Sequence, residues 1–181
     1  MIVLTLQEAL NTLGEIRLIE DLKYMSEVTY KLWYEKYYKY NLDKFPTYID
    51  LFNLFMSIAK DTNNSTYYDC YVAIRDDHLI GFISLNYNDF DIFINEQTNK
   101  KTLWLTDLYV WKDWRGKGIS TILIEHLKKI ANNKKIDLYL ACEDSLVDYY
   151  KKHGFTKVDE DNKIYNIKNN KYNKWNFMSL Y

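Results

Sequence analysis

LTDLYVWKDWRGKGIS, residues 105–120, runs from a strand through a glycine loop into a helix. Its first half belongs to TLWLTDLYVW (102–111), whose alternation of β-branched and aromatic residues predicts a strand. Its second half leads into TILIEHLKKIANNKK (121–135), where Ile122, Leu123, Leu127 and Ile130 form one apolar helical stripe. Gly116 and Gly118 stand between the two. Without Cβ atoms such a loop can point several backbone N–H groups at one anion, and the helix dipole adds to the attraction. Taken alone, the pattern reads either as a phosphate cradle or as a tight strand-to-helix turn. It is neither a GxxxxGK[ST] loop nor a GxGxxG dinucleotide fingerprint.

Outward from this stretch the chain keeps alternating strands and helices. IDLYLAC (136–142) reads as a short buried strand, SLVDYYKKHG (145–154) as a short helix closed by glycine, FTKV (155–158) as a strand, and KWNFMSLY (174–181) as the last one. Upstream, DCYVAI (69–74) and LIGFISLNY (79–87) predict a hairpin around a polar four-residue turn, Arg75-Asp76-Asp77-His78. Thr47–Ala59 predicts a helix opened by Pro46, and Tyr24–Tyr40 an amphipathic helix with a wide aromatic face. The opening residues fit a strand or a helix, and a strand is predicted near 16–20. The element order β-α-α-β-β-β-α-β-α-β-β implies an α/β sheet flanked by helices.

The chain has 181 residues, a formal net charge of −1 and 48% hydrophobic residues, including eighteen Tyr and five Trp. That suits one domain spanning 1–181 with a substantial core. The balanced charge gives no electrostatic support for a nucleic-acid partner. No apolar run reaches the roughly 18 residues that span a bilayer, and Met1–Leu6 lacks the features of a secretory leader, so a cytoplasmic protein with no membrane partner is expected. Cys70 and Cys142 have no CxxC spacing, and His78, His126 and His153 form no constellation, so no metal is expected.

LTDLYVWKDWRGKGIS resembles the acetyl-CoA-binding motif of the GNAT superfamily (Gcn5-related N-acetyltransferases), with core pattern Q/R-x-x-G-x-G/A. Arg115, Gly118 and Ser120 stand at its three defined positions; a small serine hydroxyl still lets a pyrophosphate approach. LACEDSLVDYYKKHGF (140–155) resembles the family's later motif, N-x-x-A-x-x-F-Y-x-K-x-G-F. The resemblance implies a GNAT-like mixed, mostly antiparallel central sheet and acetyl-CoA as co-substrate. Backbone groups of Leu108, Tyr109 and Val110 would hold the pantetheine arm. Those of Arg115, Gly116, Lys117, Gly118, Ile119, Ser120 and Thr121 would hold the pyrophosphate. Lys117 either adds a charge there or is a solvated loop lysine. Tyr150 falls on the tyrosine that protonates the departing thiolate, a role suited to a phenol with pKa near 10; its plainer alternative is a packed helix tyrosine. Family members often form homodimers.

The departures from the pattern bear on the acceptor. Glu143 stands where the family often has Asn, and Leu146 where it has a small residue. Residues 140–155 with the closing strand resemble the arylalkylamine enzymes, whereas 105–120 are as close to the polyamine enzymes, so a small-molecule amine is the expected substrate. A protein or peptide amine, or a module that binds acyl-CoA without turnover, are the rival readings. Trp104 and Thr106 occupy the positions where those branches carry a catalytic base. Strand alternation turns Asp107 to the opposite face from Thr106 and Leu108 unless a bulge re-aims it. Asp107 and Glu143 are the candidate terminal acceptors for the amine proton, through a water chain. Trp33, Tyr34, Tyr37, Tyr38, Tyr40, Phe45 and Tyr48 either line an amine pocket or pack in the core.

Overall fold

Two of the helices begin on the same side-chain exchange. Thr5 closes strand β1 (Ile2–Thr5) and opens helix α1 (Leu6–Leu13): its hydroxyl accepts the Glu8 N–H at 3.2 Å, and the Glu8 carboxylate accepts the Thr5 N–H at 2.8 Å. Thr47 and Asp50 repeat the exchange at the start of α3 (Tyr48–Ala59). Each pairing satisfies backbone donors that a helix start leaves open. Between them lies α2 (Glu15–Thr29), which ends in a π-helical turn, Tyr30–Tyr34. The computed structural model describes residues 1–34, 47–61, 68–87, 103–158 and 176–180.

The strand predicted near 16–20 is helix, and the N-terminal strand is Ile2–Thr5 instead. EIRLI fits both periods when read alone. Over a longer window Leu18, Leu22, Met25 and Thr29 are buried at helical spacing, whereas Ile16, which alternation would pair with Leu18, is 83% exposed. Gly14 at φ 79° breaks the chain between α1 and α2; its N–H donates to the Leu10 carbonyl and its own carbonyl accepts the Leu18 N–H. The helix predicted from Tyr24 therefore starts at Glu15. Residues 35–46, with Tyr37, Tyr38, Tyr40, Phe45 and Pro46, lie outside the described residues.

The remaining elements are β2 (Tyr68–Arg75), β3 (His78–Tyr87), β4 (Leu103–Val110), a 3₁₀ turn (Lys112–Trp114), α4 (Ile119–Lys134), β5 (Leu138–Cys142), a second 3₁₀ turn (Asp144–Leu146), α5 (Val147–Lys151), β6 (Thr156–Lys157) and β7 (Asn176–Leu180). The seven strands follow the order β1-β2-β3-β4-β5-β7-β6. β1 and β2 are antiparallel (Ile2↔Ile74), as are β5 and β7 (Leu138↔Leu180) and β6 and β7 (Thr156↔Ser179). β4 and β5 run parallel (Leu103↔Leu138), with α4 as the connection that a parallel pair requires. The expected mixed, mostly antiparallel sheet is what the structure shows. The β2–β3 turn is tighter than the predicted four residues: Asp76 and Asp77 alone form it, at φ 51° and 59°. Two left-handed residues give a turn whose twist matches that of the strands.

By internal packing the chain forms two compact units, 1–84 with 107–123 and 85–106 with 124–181. In the first, Leu6, Leu18, Leu22 and Met25 of α1 and α2, Leu51 and Phe55 of α3, and Val72 and Phe82 of the hairpin form one buried cluster. Each such side chain contributes about 1.5–3 kcal/mol by leaving water. In the second, Trp104 stacks on Tyr139 with centroids 5.3 Å apart and meets Phe177 edge-on at 6.4 Å, beside buried Leu138, Leu140 and Met178.

A left-handed aspartate carries a strain that glycine lacks. Asp77→Gly is expected to stabilise the protein by about 0.5–1 kcal/mol, read as a rise in thermal midpoint. An unchanged or lower midpoint would show that the Asp77 side chain contributes as much as the strain costs.

Candidate active site

The loop after β4 is set by backbone conformation. Gly81 on β3 lets the two strands approach, because a Cβ there would lie 2.9 Å from the Tyr109 carbonyl oxygen. The Trp111 N–H then donates to the Ile80 carbonyl at 3.0 Å, and the chain turns as Trp114 N–H reaches the Trp111 carbonyl at 2.9 Å. Gly116 and Gly118 follow at φ 72° and 74°, with no atom within 4 Å of where either Cβ would be. Conformation, and not crowding, demands glycine at both. The Gly118 carbonyl accepts the Ile122 N–H at 3.1 Å, so the N–H groups of Ile119, Ser120 and Thr121 have no acceptor within α4. The positive end of the helix dipole is at this same turn. Backbone N–H groups and the helix dipole thus meet at one turn.

Side chains brace the loop in a way that spacing does not reveal. Arg115 Nε donates to the Val110 carbonyl at 3.0 Å, and its guanidinium lies 5.2 Å from the Tyr109 ring centroid. Lys117 Nζ donates to the Asp113 carbonyl at 3.0 Å and sits 4.6 Å over the Trp114 ring, with the Arg75 guanidinium 5.2 Å from that ring. Of the two readings of Lys117, an added charge at the loop or a solvated lysine, neither describes its placement here, folded onto the turn before the glycines. Behind it, Tyr109, Trp111, Phe82 and Tyr24 form a run of ring contacts at 5.6–6.0 Å. Burial pushes the Tyr24 phenol above its ordinary pKa, and the Tyr109 charge and hydrogen bond push the same way.

Asp107 stands at φ 51° inside β4, so the simple alternation predicted from Thr106 to Leu108 is broken there. Burial raises the Cys70 thiol, with a Ser84 hydrogen bond opposing and the Asp107 charge adding to the rise. The carboxylate is therefore within electrostatic reach of β2. Asp107, Leu108, Tyr109, Val110 and Arg115–Thr121 all belong to the first unit, whereas Glu143 and Tyr150 belong to the second.

Tyr150 is 7% exposed on α5, with Tyr149 edge-on at 5.2 Å and Phe155 at 5.9 Å. Burial, then the neighbouring Cys142 and Tyr149, raises its phenol above the usual value. It stays protonated through the neutral range, as a proton donor must. Tyr149 is half-buried, and its hydroxyl has no partner among the described residues. Glu143 begins the 3₁₀ turn, its carbonyl accepting the Leu146 N–H at 2.9 Å. Burial chiefly pushes the Cys142 thiol up to about 11, which leaves almost no thiolate at neutral pH and removes it as a nucleophile. Burial lowers His153. At the two positions where the resemblance puts a base, Trp104 is buried in its aromatic stack, and the buried Thr106 hydroxyl has no partner among the described residues. No group of three or more metal-ligating side chains occurs among the described residues.

The family model described as the acetyltransferase (GNAT) family matches residues 26–155, a span that includes the glycine loop and Tyr150. The chain belongs to the GNAT acetyltransferase family. This acetyltransferase also shares its fold with solved structures at low identity. The PaiA N-acetyltransferase of Thermoplasma acidophilum, in complex with coenzyme A, aligns with a TM-score of 0.56 at 21% identity over 99% of this chain and 98% of that one. An aminoglycoside 6′-N-acetyltransferase complexed with coenzyme A gives 0.59 at 15% identity over 99% and 96%. The ribosomal-protein-alanine N-acetyltransferase of Brucella melitensis gives 0.61 at 14% identity over 99% of both.

In the acetyltransferase, Gly118→Ala tests whether conformation alone holds the cradle. Strain at its positive φ is expected to cost about 1 kcal/mol, seen as a lower midpoint in thermal melts, although the new methyl group meets nothing. A melt unchanged from wild type would mean that the loop relaxes to another backbone path.

Proposed function

We propose that residues 1–181 act as one domain that transfers an acetyl group directly from acetyl-CoA to the primary amine of a small molecule, of polyamine or arylalkylamine type. The observation that carries the reading is the pair of left-handed glycines opening onto the N-terminus of α4. Anion binding at such a turn needs only the backbone amides and the dipole. Arg115, Gly116, Lys117, Gly118, Ile119, Ser120 and Thr121 would hold the pyrophosphate. Leu108, Tyr109 and Val110 would hold the pantetheine arm and polarise the thioester carbonyl.

The neutral amine attacks that carbonyl, the carbon–sulfur bond breaks, and Tyr150 gives its proton to the sulfur. Its buried, protonated phenol supports the assignment. The ammonium proton leaves through water, with Asp107 or Glu143 as terminal acceptor. The left-handed backbone at Asp107 supports the first of these, because it frees the carboxylate from the alternation of the strand. The likeness of 140–155 and 105–120 to two small-amine branches supports the acceptor class. No helix among the described residues is long and apolar enough to cross a membrane.

Thiol release from acetyl-CoA, measured against spermidine, tryptamine, serotonin, aminoglycosides, lysine peptides and protein N-termini, tests the reading. Turnover is expected on one class of small amine, falling on the order of 10²-fold in Tyr150→Phe. Exclusive turnover of peptides would replace the acceptor class, and coenzyme A binding without turnover would replace the enzyme with a binding module. Because the phenol is raised, loss of its proton should not limit kcat below about pH 10; a Tyr150-dependent alkaline limb near pH 8 would contradict the assignment. Arg115→Ala should raise KM for acetyl-CoA about tenfold with little change in kcat, as expected for loss of a loop brace.

A further inference from the structure

Helix α5 is short, Val147–Lys151, and a helix of that length does not hold its own direction. The aim of Tyr150 therefore depends on how the two ends of α5 are tied. Its C-terminal end is closed by Gly154 at φ 88°, whose N–H donates to the Lys151 carbonyl at 2.9 Å, and by Phe155, whose N–H donates to the Tyr150 carbonyl at 3.2 Å. Its N-terminal end has no side-chain cap, either at Leu146 or at Glu143 before the 3₁₀ turn. What grips that end comes from another strand. Asn176, first residue of β7 and register partner of Cys142, has its Nδ2 2.7 Å from Asp144 Oδ1 and 3.5 Å from the Cys142 carbonyl oxygen. One amide nitrogen, with two protons, thus spans Cys142-Glu143-Asp144 from end to end.

We propose that Asn176 is a positioning residue for Tyr150, fixing through its side-chain amide the turn from which α5 departs. This rests on the reading of Tyr150 as the proton donor. The bond to Asp144 is charge-assisted and short, hence directional. Asp144 is exposed and Asn176 only half-buried, so losing the bond costs little global stability. A displacement of about 1 Å at the phenol, by contrast, can cost as much as 10²-fold in rate.

The test is a swap. Asn176→Asp sets a second carboxylate against Asp144 and the Cys142 carbonyl, and Asp144→Ala removes the acceptor. Each is expected to lower kcat about tenfold at pH 8, with KM for acetyl-CoA within about twofold and the thermal midpoint nearly unchanged. The double variant Asp144→Asn with Asn176→Asp reverses donor and acceptor across the 2.7 Å gap, though not at the Cys142 carbonyl, and should recover kcat at least about threefold over Asn176→Asp alone. The Asn176→Asp to wild-type ratio should also recover below about pH 5, where the added carboxyl is protonated and can donate. In a Tyr150→Phe background Asn176→Asp should cause no further loss. Unchanged kcat in Asn176→Asp, a failed swap, or losses that multiply with Tyr150→Phe would overturn the proposal while leaving the donor role intact. Full activity in Tyr150→Phe itself would end both.

Discussion

Gly81 sets where β4 can lie. With a side chain there, the Tyr109 carbonyl would be 2.9 Å from a methyl carbon, and the strand that leads into the glycine loop would have to move away from β3. Because it does not, Trp111 can donate to Ile80, and the chain leaves the sheet at a defined point. The 3₁₀ turn, the two glycines and the start of α4 follow from that exit. A close backbone approach inside the sheet thus sets the geometry of a loop outside it, and the strut from Arg115 to Val110 closes the arrangement from the other side.

Most of the region from β4 to α4 was legible because its signals are local. Alternation, paired glycines and a helical stripe occur in one unbroken run, and each retains its meaning in the fold. The capped helix from Thr47 was legible for the same reason. EIRLI misled because five residues fit a period of two and a period of 3.6 equally well, and only the burial of Leu22, Met25 and Thr29 farther along decides between them. The left-handed turn at Asp107 has no sequence mark beyond the tolerance of Asp for that conformation. Arg115 as a brace, Lys117 folded on Trp114, and Asn176 reaching Asp144 are tertiary facts, the last linking residues 32 apart. Helical or strand periodicity carries no information about such pairs.

The proposed site residues divide by the kind of chemistry they would supply. Those of the first unit from Leu108 to Thr121 would offer backbone amides and a dipole, which act without titrating, beside the Asp107 carboxylate proposed to take a proton. Those proposed in the second, Tyr150 above all, would offer a proton that burial keeps on the phenol. The positions where related branches carry a base hold a stacked indole and an unpartnered buried hydroxyl. A hydroxyl in that state is suited to an ordered water, since it brings donor and acceptor capacity and no charge of its own.

The two cysteines also bear on handling and on product tolerance. Thiol–disulfide exchange needs a thiolate and a path to it, and both are denied here, since Cys70 and Cys142 are buried and their thiols are raised by that burial. At pH 7 a thiol with a pKa of about 11 is ionised to roughly one part in 10⁴. The native protein is thereby insulated from mixed-disulfide formation with the disulfide form of any small thiol around it, including that of the thiol its own proposed reaction sets free.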